Sequence, residues 1–366
     1  MYSLSRAKVL PHLDWWLVGA TLAVVLSGLM MIYSTGYGSE ADHLFRRQCI
    51  WLLVGLGLAL LLASVDYHTW SEFAPVIYLA SLAVLVITPV VAREISGARS
   101  WLEIGGLRIQ PSEAVKLTTL LMVATYLARR VSHGLRLTQH ATLMMIVLAP
   151  VGLIVIQPDL GTAVTYLPLL AVMVWLSGIR LRTLLILALL GVAVLLVVGN
   201  NFLLEHQRER LLTFLDPSRD PQGSGYQAMQ SKIAVGSGGL WGKGLFSGTQ
   251  SQLKFLPEQH TDFVFAVLAE ERGFAGAFAV LALYFVLISR LIHAARTARD
   301  PLGLYLCMGA AGMLGAQVFA NIGVVIGLLP TAGIPLPLMS YGGSSLVSTL
   351  GTLGLVVNVH WRRFVN

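Results

Sequence analysis

Long apolar runs separated by short polar segments dominate the chain. They cover residues 14–34, 48–65, 73–91, 112–128, 141–157, 160–178, 183–199, 265–292, 303–329 and 338–360. An α-helix needs about 20 apolar residues to cross roughly 30 Å of hydrocarbon, and the runs are of that order. The hydrocarbon layer holds no water, so each run must satisfy its own backbone hydrogen bonds, which means helices. The alternating segments of about ten residues that mark a membrane β-barrel are absent. The pattern predicts an all-α polytopic membrane protein of about ten transmembrane helices, with residues 1–366 forming a single membrane domain.

One segment is neither a span nor a short loop. Residues 200–261 form a polar stretch with Gln207-Arg208-Glu209-Arg210, a turn-rich Asp216-Pro217-Ser218-Arg219-Asp220-Pro221, and a glycine cluster from Gly236 to Gly248. Loops of this length inside a compact protein are usually functional or carry a small folded element. Placing it requires the charge pattern. Arg6, Lys8, Arg129, Arg130, Arg136, Arg180, Arg182, Arg290, Arg296, Arg299, Arg362 and Arg363 all fall on one side if the runs alternate. The opposing short loops carry only Arg46, Arg47, Arg93, Arg99 and Arg108. Positive charge marks the cytoplasmic side, so both termini are expected there and the 200–261 loop outside. The first run follows Arg6 and Lys8 without a small-residue cleavage site, and reads as a retained anchor.

Composition agrees with this picture. The 366 residues are 56% hydrophobic and only 12% charged, with a mean hydropathy of +0.74. So few charges could not cover a soluble protein of this size. The net charge of +7 sits in loop arginines, which suits topology signals and anionic lipid, and no nucleic-acid partner is expected. Cys49 and Cys307 both lie in apolar runs and read as small buried hydrophobes, not as a disulfide or metal pair.

Ionisable residues entering the apolar runs are the candidates for chemistry. Pro111 starts a helix in which Glu113 and Lys116 share a face and can pair. At such depth, charges usually line a site or pathway. Asp159, in Gln157-Pro158-Asp159-Leu160-Gly161-Thr162, is either a helix-start partner or a binding group. Asp262 follows Pro257-Glu258-Gln259-His260-Thr261 at the start of the eighth run. With a helix beginning near Thr261 it would lie in the first turn, favoured by the dipole. The alternative is a general base at the membrane surface. Glu270, Glu271 and Arg272 follow, and are expected to pair with one another or to face a hydrated cavity. Gln317 and Asn321 suit interhelical hydrogen bonding. The glycine cluster around Lys243 fails both the P-loop and dinucleotide spacings. It either turns tightly or offers N–H groups to an anionic head group. Prolines 330, 335 and 337, followed by Ser340-Tyr341-Gly342-Gly343-Ser344-Ser345, preclude one straight helix and suggest a shaped extracytoplasmic pocket. No metal-ligand cluster is visible.

Taken in order, Gly97-Ala98-Arg99-Ser100-Trp101, Gln110-Pro111-Ser112-Glu113 with Lys116, Gln157 to Thr162, Asp216-Pro217, Gly225-Tyr226-Gln227, Pro257 to Phe263, and the Gly333 to Ser345 tail resemble the SEDS family (shape, elongation, division, sporulation) over nearly the whole chain. The details lean toward its elongation branch over its division branch. The resemblance implies a peptidoglycan glycosyltransferase of the bacterial inner membrane that polymerises lipid II into β-1,4-linked strands. It also implies a class B penicillin-binding protein and other elongation-complex membrane proteins as partners. The family's essential aspartate falls on Asp262, the expected general base, and its cavity pair on Glu113 and Lys116. Arg208, Arg210, Lys243 and Lys116 are candidates to meet the leaving diphosphate, with a divalent cation such as Mg2+ as a possible aid. Two rival readings are a lipid II flippase and a non-catalytic scaffold. Against the flippase, no inverted repeat is visible in the two halves.

Overall fold

The computed structural model describes residues 13–35, 41–95, 97–104, 107–130, 136–179, 182, 205–216, 219–220 and 223–363. The expected span 183–199 lies outside the described residues, as do Arg6, Lys8, Arg180 and Pro217. The other expected spans are helical: α1 (Trp15–Thr35), α2 (Ala41–Ser64), α3 (Tyr67–Val91), α4 (Pro111–Ala128), α5 (Leu137–Ile156), α6 (Leu160–Val164) with α7 (Leu167–Leu176), α11 (Val264–Thr297), α12 (Pro301–Val325) and α13 (Gly343–Arg362). The long polar stretch contains α8 (Glu205–Leu215), α9 (Ser224–Ser237) and the short α10 (Thr249–Gln252). The chain is a multi-pass, all-α membrane protein.

By length and composition alone, six of the described helices could cross a membrane, and α4, α6–α7 and α13 are not among them. The reason is their position. Most of α4 and α13 is buried by neighbouring helices, so their surfaces need not be apolar enough for lipid. Helix α13 lies against α2 through glycines. A Cβ on Gly354 would fall 2.5 Å from the Ala59 carbonyl oxygen, and one on Gly343 would strike the Trp51 ring. Small residues let backbones approach this closely. The α6–α7 break comes just before Pro168, whose missing N–H cannot continue the α6 ladder.

One element departs from the all-helical expectation. Residues 93–109 form a three-stranded antiparallel sheet in the order β1 (Arg93–Ile95), β2 (Ala98–Ile104), β3 (Leu107–Ile109). Gly97, at φ 80°, makes the first turn, and Leu107 and Ile109 pack against the core.

The helix ends sort into two faces. At one, Asp14 of the α1 approach pairs with Arg290 at 2.8 Å, Arg362 with Asp66 at 3.1 Å, and the Tyr67 hydroxyl donates to Asp300. The opposite face gathers Thr35, Gln48, Gln110, Asp159, residues 248–263 and residues 326–344. This matches the alternation expected from the arginines: the first and last described segments share a face, and the long loop occupies the other.

Candidate active site

Two loops on the second face are held together around Asp262. In the first, Glu258 adopts a left-handed φ of 49°, uncommon for a residue with a side chain. Its carbonyl can then accept the N–H groups of Thr261 and Asp262 at 3.2 and 3.1 Å. Helix α11 begins only at Val264, with Phe263 at its cap. Asp262 therefore precedes the helix and does not sit in its first turn. The Glu258 turn carries residues 258–262 ahead of the helix, so the expected first-turn position is not the one observed.

The second loop, residues 330–342, braces the first. Asn321 of α12 donates from Nδ2 to the carbonyls of Asp262 and Ile334, both at 2.8 Å. Ser340 donates to the Thr261 carbonyl and accepts the Leu336 N–H, while the Tyr341 N–H donates to the His260 carbonyl at 2.8 Å. Gln48 of α2 spans Ser340 and Gly342, and Gln259 reaches the Thr35 carbonyl at 3.1 Å. From the far side, Gly161 presses on the loop: a Cβ there would lie 2.0 Å from the Ala332 oxygen.

The result is a small cleft lined by Arg210, Gln227, Asp262, Asn321, Thr331 and Gly333, among others. Asp262 is half-buried, and its carboxylate makes no hydrogen bond to any described residue. Burial, followed by the like charge of Glu258, pushes its pKa up to about 6, and Arg210 opposes the rise. A carboxylate enclosed this way, open to the cleft and titrating near neutrality, is suited to accept a proton from an incoming hydroxyl.

Glu113 and Lys116 do pair, at 2.7 Å and almost fully buried. They line a second small cavity with Gln317, Ser348 and Thr352, not the Asp262 cleft. Ser348 fixes the start of α4 by donating to the Glu113 carbonyl at 2.6 Å.

The other candidates are placed elsewhere. Asp159 caps α6, accepting from the Thr162 N–H at 3.1 Å and from Gln110 Nε2 at 2.7 Å. Arg208 is exposed on α8, two residues from Arg210 and so on another face. Lys243 binds Glu270 at 2.7 Å, and Glu270 also receives the Gln250 and Ser251 N–H groups. The expected mutual pairing of Glu270, Glu271 and Arg272 is replaced by outside partners. Glu271 accepts from Ser34, and Arg272 lies against Met30.

The glycine cluster has a structural explanation that corrects the head-group reading. Helix α11 breaks at Gly273, with φ 65° and ψ −166°. The loop docks into the break: Phe274 and Ala275 donate to Gly239 and Leu240, while Lys243 and Gly244 donate to the Glu270 and Glu271 carbonyls. The N–H groups that seemed available for an anion instead complete a broken helix.

Residues that sequence reasoning did not assign to the site are Gln227, Thr331 and Gly333 in the cleft wall, and Glu258 as the neighbour that tunes Asp262. Thr331 and Gly333 fall within the turn-rich 330–345 segment, and Gln227 and Glu258 within the Gly225-Tyr226-Gln227 and Pro257 to Phe263 stretches. Among the described residues, no group of three or more His, Cys, Asp or Glu could hold a metal ion.

Comparison with known proteins places the whole chain in a family. The Cell cycle protein family model of FtsW, RodA and SpoVE matches residues 11–364, and the chain belongs to this family, the SEDS family. Peptidoglycan glycosyltransferase MrdB of Escherichia coli (strain K12) is 38% identical over 358 residues, covering 96% of this chain and 94% of that protein. A probable peptidoglycan glycosyltransferase FtsW of Coxiella burnetii is 37% identical over 361 residues, covering 94% and 95%. Among solved structures, a chain of a peptidoglycan synthase complex that coordinates polymerization and crosslinking superimposes with a TM-score of 0.82 at 38% identity, covering 97% of this chain and 99% of that one. The rod shape determining protein RodA of Thermus thermophilus gives 0.71 at 35% identity, covering 96% and 98%.

Proposed function

We propose that this chain is the elongation-type peptidoglycan glycosyltransferase of its membrane, polymerising lipid II with Asp262 as general base. The observation that carries the reading is the Asp262 carboxylate, lining the cleft with no hydrogen-bond partner among the described residues and raised to about 6. An acceptor sugar hydroxyl is a poor nucleophile near neutral pH. A carboxylate that takes its proton as the new bond forms lowers the barrier. In-line attack on the donor's anomeric carbon, with the lipid diphosphate departing, inverts that centre and produces a β-1,4 linkage.

The departing diphosphate gathers negative charge, and Arg210 is the cation in the cleft wall suited to meet it. The Asp262 carboxylate, together with the substrate's own phosphate oxygens, fits the hard-oxygen donor set of a divalent cation such as Mg2+. Bound there, such an ion would neutralise leaving-group charge. Lys116 and Glu113 hold the shape of the adjoining cavity. The arginine-rich face, which holds both ends of the described chain, is the cytoplasmic face of the bacterial inner membrane, so the cleft opens outside. The partner is a class B penicillin-binding protein that cross-links the strands, as coordination of polymerization and crosslinking in the related synthase complex supports.

The test is polymerisation of purified lipid II by the native protein and by Asp262→Asn, each with the partner. Native activity with none in the variant supports the assignment. Full glycan synthesis by a folded variant rejects it.

A further inference from the structure

Helix α9 has two unlike faces. Gln227, Ser231 and Ala234 face inward: Gln227 lines the cleft, and Ser231 and Ala234 are buried, with Ser231 donating to the Val325 carbonyl at 2.8 Å. On the opposite face Met229 and Ile233 are exposed, at 54% and 44%. The stripe continues past the helix into Leu240 and Trp241, exposed by 67% and 82%. Met229 and Ile233 lie four residues apart on the outer face of α9, and the turn beyond the helix, held to α11 by the Phe274 and Ala275 N–H groups, adds the Leu240 and Trp241 side chains.

The strip is rigidly mounted where α11 breaks. Residues 264–271, before the break, are buried in protein. Beyond it come about 24 helical residues, roughly 36 Å at ~1.5 Å each, which is by itself enough to cross the hydrocarbon. That second part exposes Phe274 and Phe278, stacked with ring centroids 6.1 Å apart. The break thus lies at the level where the lipid-facing surface begins, and the Leu240-Trp241 turn docks there. Irregular backbone is tolerated against lipid only when its polar groups are satisfied. Here Gly239 and Leu240 carbonyls and the Gly242, Lys243 and Gly244 N–H groups all have partners in the loop or in α11.

We propose that Met229, Ile233, Leu240 and Trp241 form an interfacial anchor seated in the acyl region of the leaflet on the cleft side. Its occupant is bilayer lipid. The strip is continuous with the lipid-facing surface of α11, and tryptophan is the side chain favoured at this boundary. Because α9 carries Gln227 on its inner face, the anchor sets the height of one cleft wall relative to the bilayer. The proposal rests on the membrane placement of the helices and is independent of the glycosyltransferase reading.

The test uses single cysteines at positions 229, 233 and 241, and at exposed Arg208 as the aqueous control, in full-length protein with Cys49 and Cys307 replaced by alanine. Each is labelled with bimane and reconstituted in phosphatidylcholine vesicles, with iodide on both sides or with nitroxide-labelled lipid. Quenching by nitroxide lipid and loss of iodide quenching at 229, 233 and 241, with the reverse at 208, is the expected result. Iodide quenching at all four positions overturns the proposal. So does iodide quenching at the three strip positions that disappears only when the cross-linking partner is added, which would make the strip a protein interface. Trp241→Phe gives a label-free check. It should remove part of the brominated-lipid quenching of native fluorescence and leave iodide quenching unchanged, and unchanged lipid quenching counts against the anchor.

Discussion

Replacing Asp262 with asparagine should abolish polymerisation and at the same time stabilise the protein. Burial and Glu258 raise this carboxyl from 3.8 to about 6 against the pull of Arg210. The difference, roughly 2 units, corresponds to about 3 kcal/mol at ~1.36 kcal/mol per unit. The sign follows from proton binding. Between the two values the folded protein keeps a proton that the unfolded chain has lost, so stability falls as pH rises through this window. Below 3.8 the penalty is absent, and above about 6 it is fully present. Asparagine has no charge to desolvate. The variant should therefore gain up to about 3 kcal/mol near neutral pH, less where water entering the cleft already screens the charge, and nothing near pH 4. Thermal unfolding of both proteins in detergent, from about pH 4 to about pH 8, measures the gain. A gain that does not vary with pH, or a variant less stable than the native chain at neutral pH, refutes the view of Asp262 as a poorly solvated carboxylate. Retained glycan synthesis refutes its role as base.

The same balance predicts the pH profile of polymerisation. The acid limb should have its midpoint near 6, Glu258→Gln should move it down by removing a like charge, and Arg210→Ala should move it up; a profile unmoved by both argues that another group titrates. Lys116→Met would leave Glu113 buried and unpaired, a change that typically costs about 3–5 kcal/mol, measurable as a lower midpoint of thermal unfolding that Glu113→Gln in the same chain partly restores. Gly273→Ala places a side chain at φ 65° and a Cβ 2.3 Å from the Gly242 nitrogen; the protein should be destabilised by at least ~1–3 kcal/mol, and proteolysis should speed up within residues 238–248 as the docked loop detaches.

How much of this was legible beforehand depended on the range of the interactions involved. The spans could be read because lipid imposes a local rule, run length, on each helix separately. Residues 93–109 escaped because β1 and β3 are three residues long and β2, Ala98-Arg99-Ser100-Trp101-Leu102-Glu103-Ile104, does not alternate apolar and polar positions. Asp262 stood out by its position between a polar turn and an apolar run, but its setting did not. Asn321, Ser340 and Gln48 reach it or its loop from distant parts of the chain, and no local pattern encodes such pairings. Asp159 could have been assigned as a cap from Thr162 three residues on, the spacing of an N-cap side chain to a backbone N–H. The glycine cluster was ambiguous for a different reason. Glycines permit close approach to any backbone acceptor, whether phosphate or peptide, and the deciding residue, Gly273, lies about thirty positions further along inside an apolar run.

The arrangement of the two cavities bears on whether such a protein transports its substrate or transforms it. Gln317 and Asn321 lie one turn apart on α12, about 6 Å along its axis. One lines the Glu113–Lys116 cavity and the other the Asp262 cleft, so α12 is a wall common to both. Polar surface thus extends inward from the cleft face by roughly one helical turn beyond the aspartate. Further in, Leu291, Leu314 and Leu353 line the inner cavity together with Ala310 and Met313. The opposite face is tied shut among the described residues by Asp14–Arg290, Asp66–Arg362 and the Tyr67–Asp300 contact. A flippase needs a polar route that can open toward either side for a charged head group. Here the Glu113 and Lys116 charges neutralise each other in a buried pair, while the Asp262 carboxylate, which no described residue bonds, opens onto the cleft on the other face. That asymmetry belongs to a site that receives substrate from one side, performs its reaction there, and releases product to that same side.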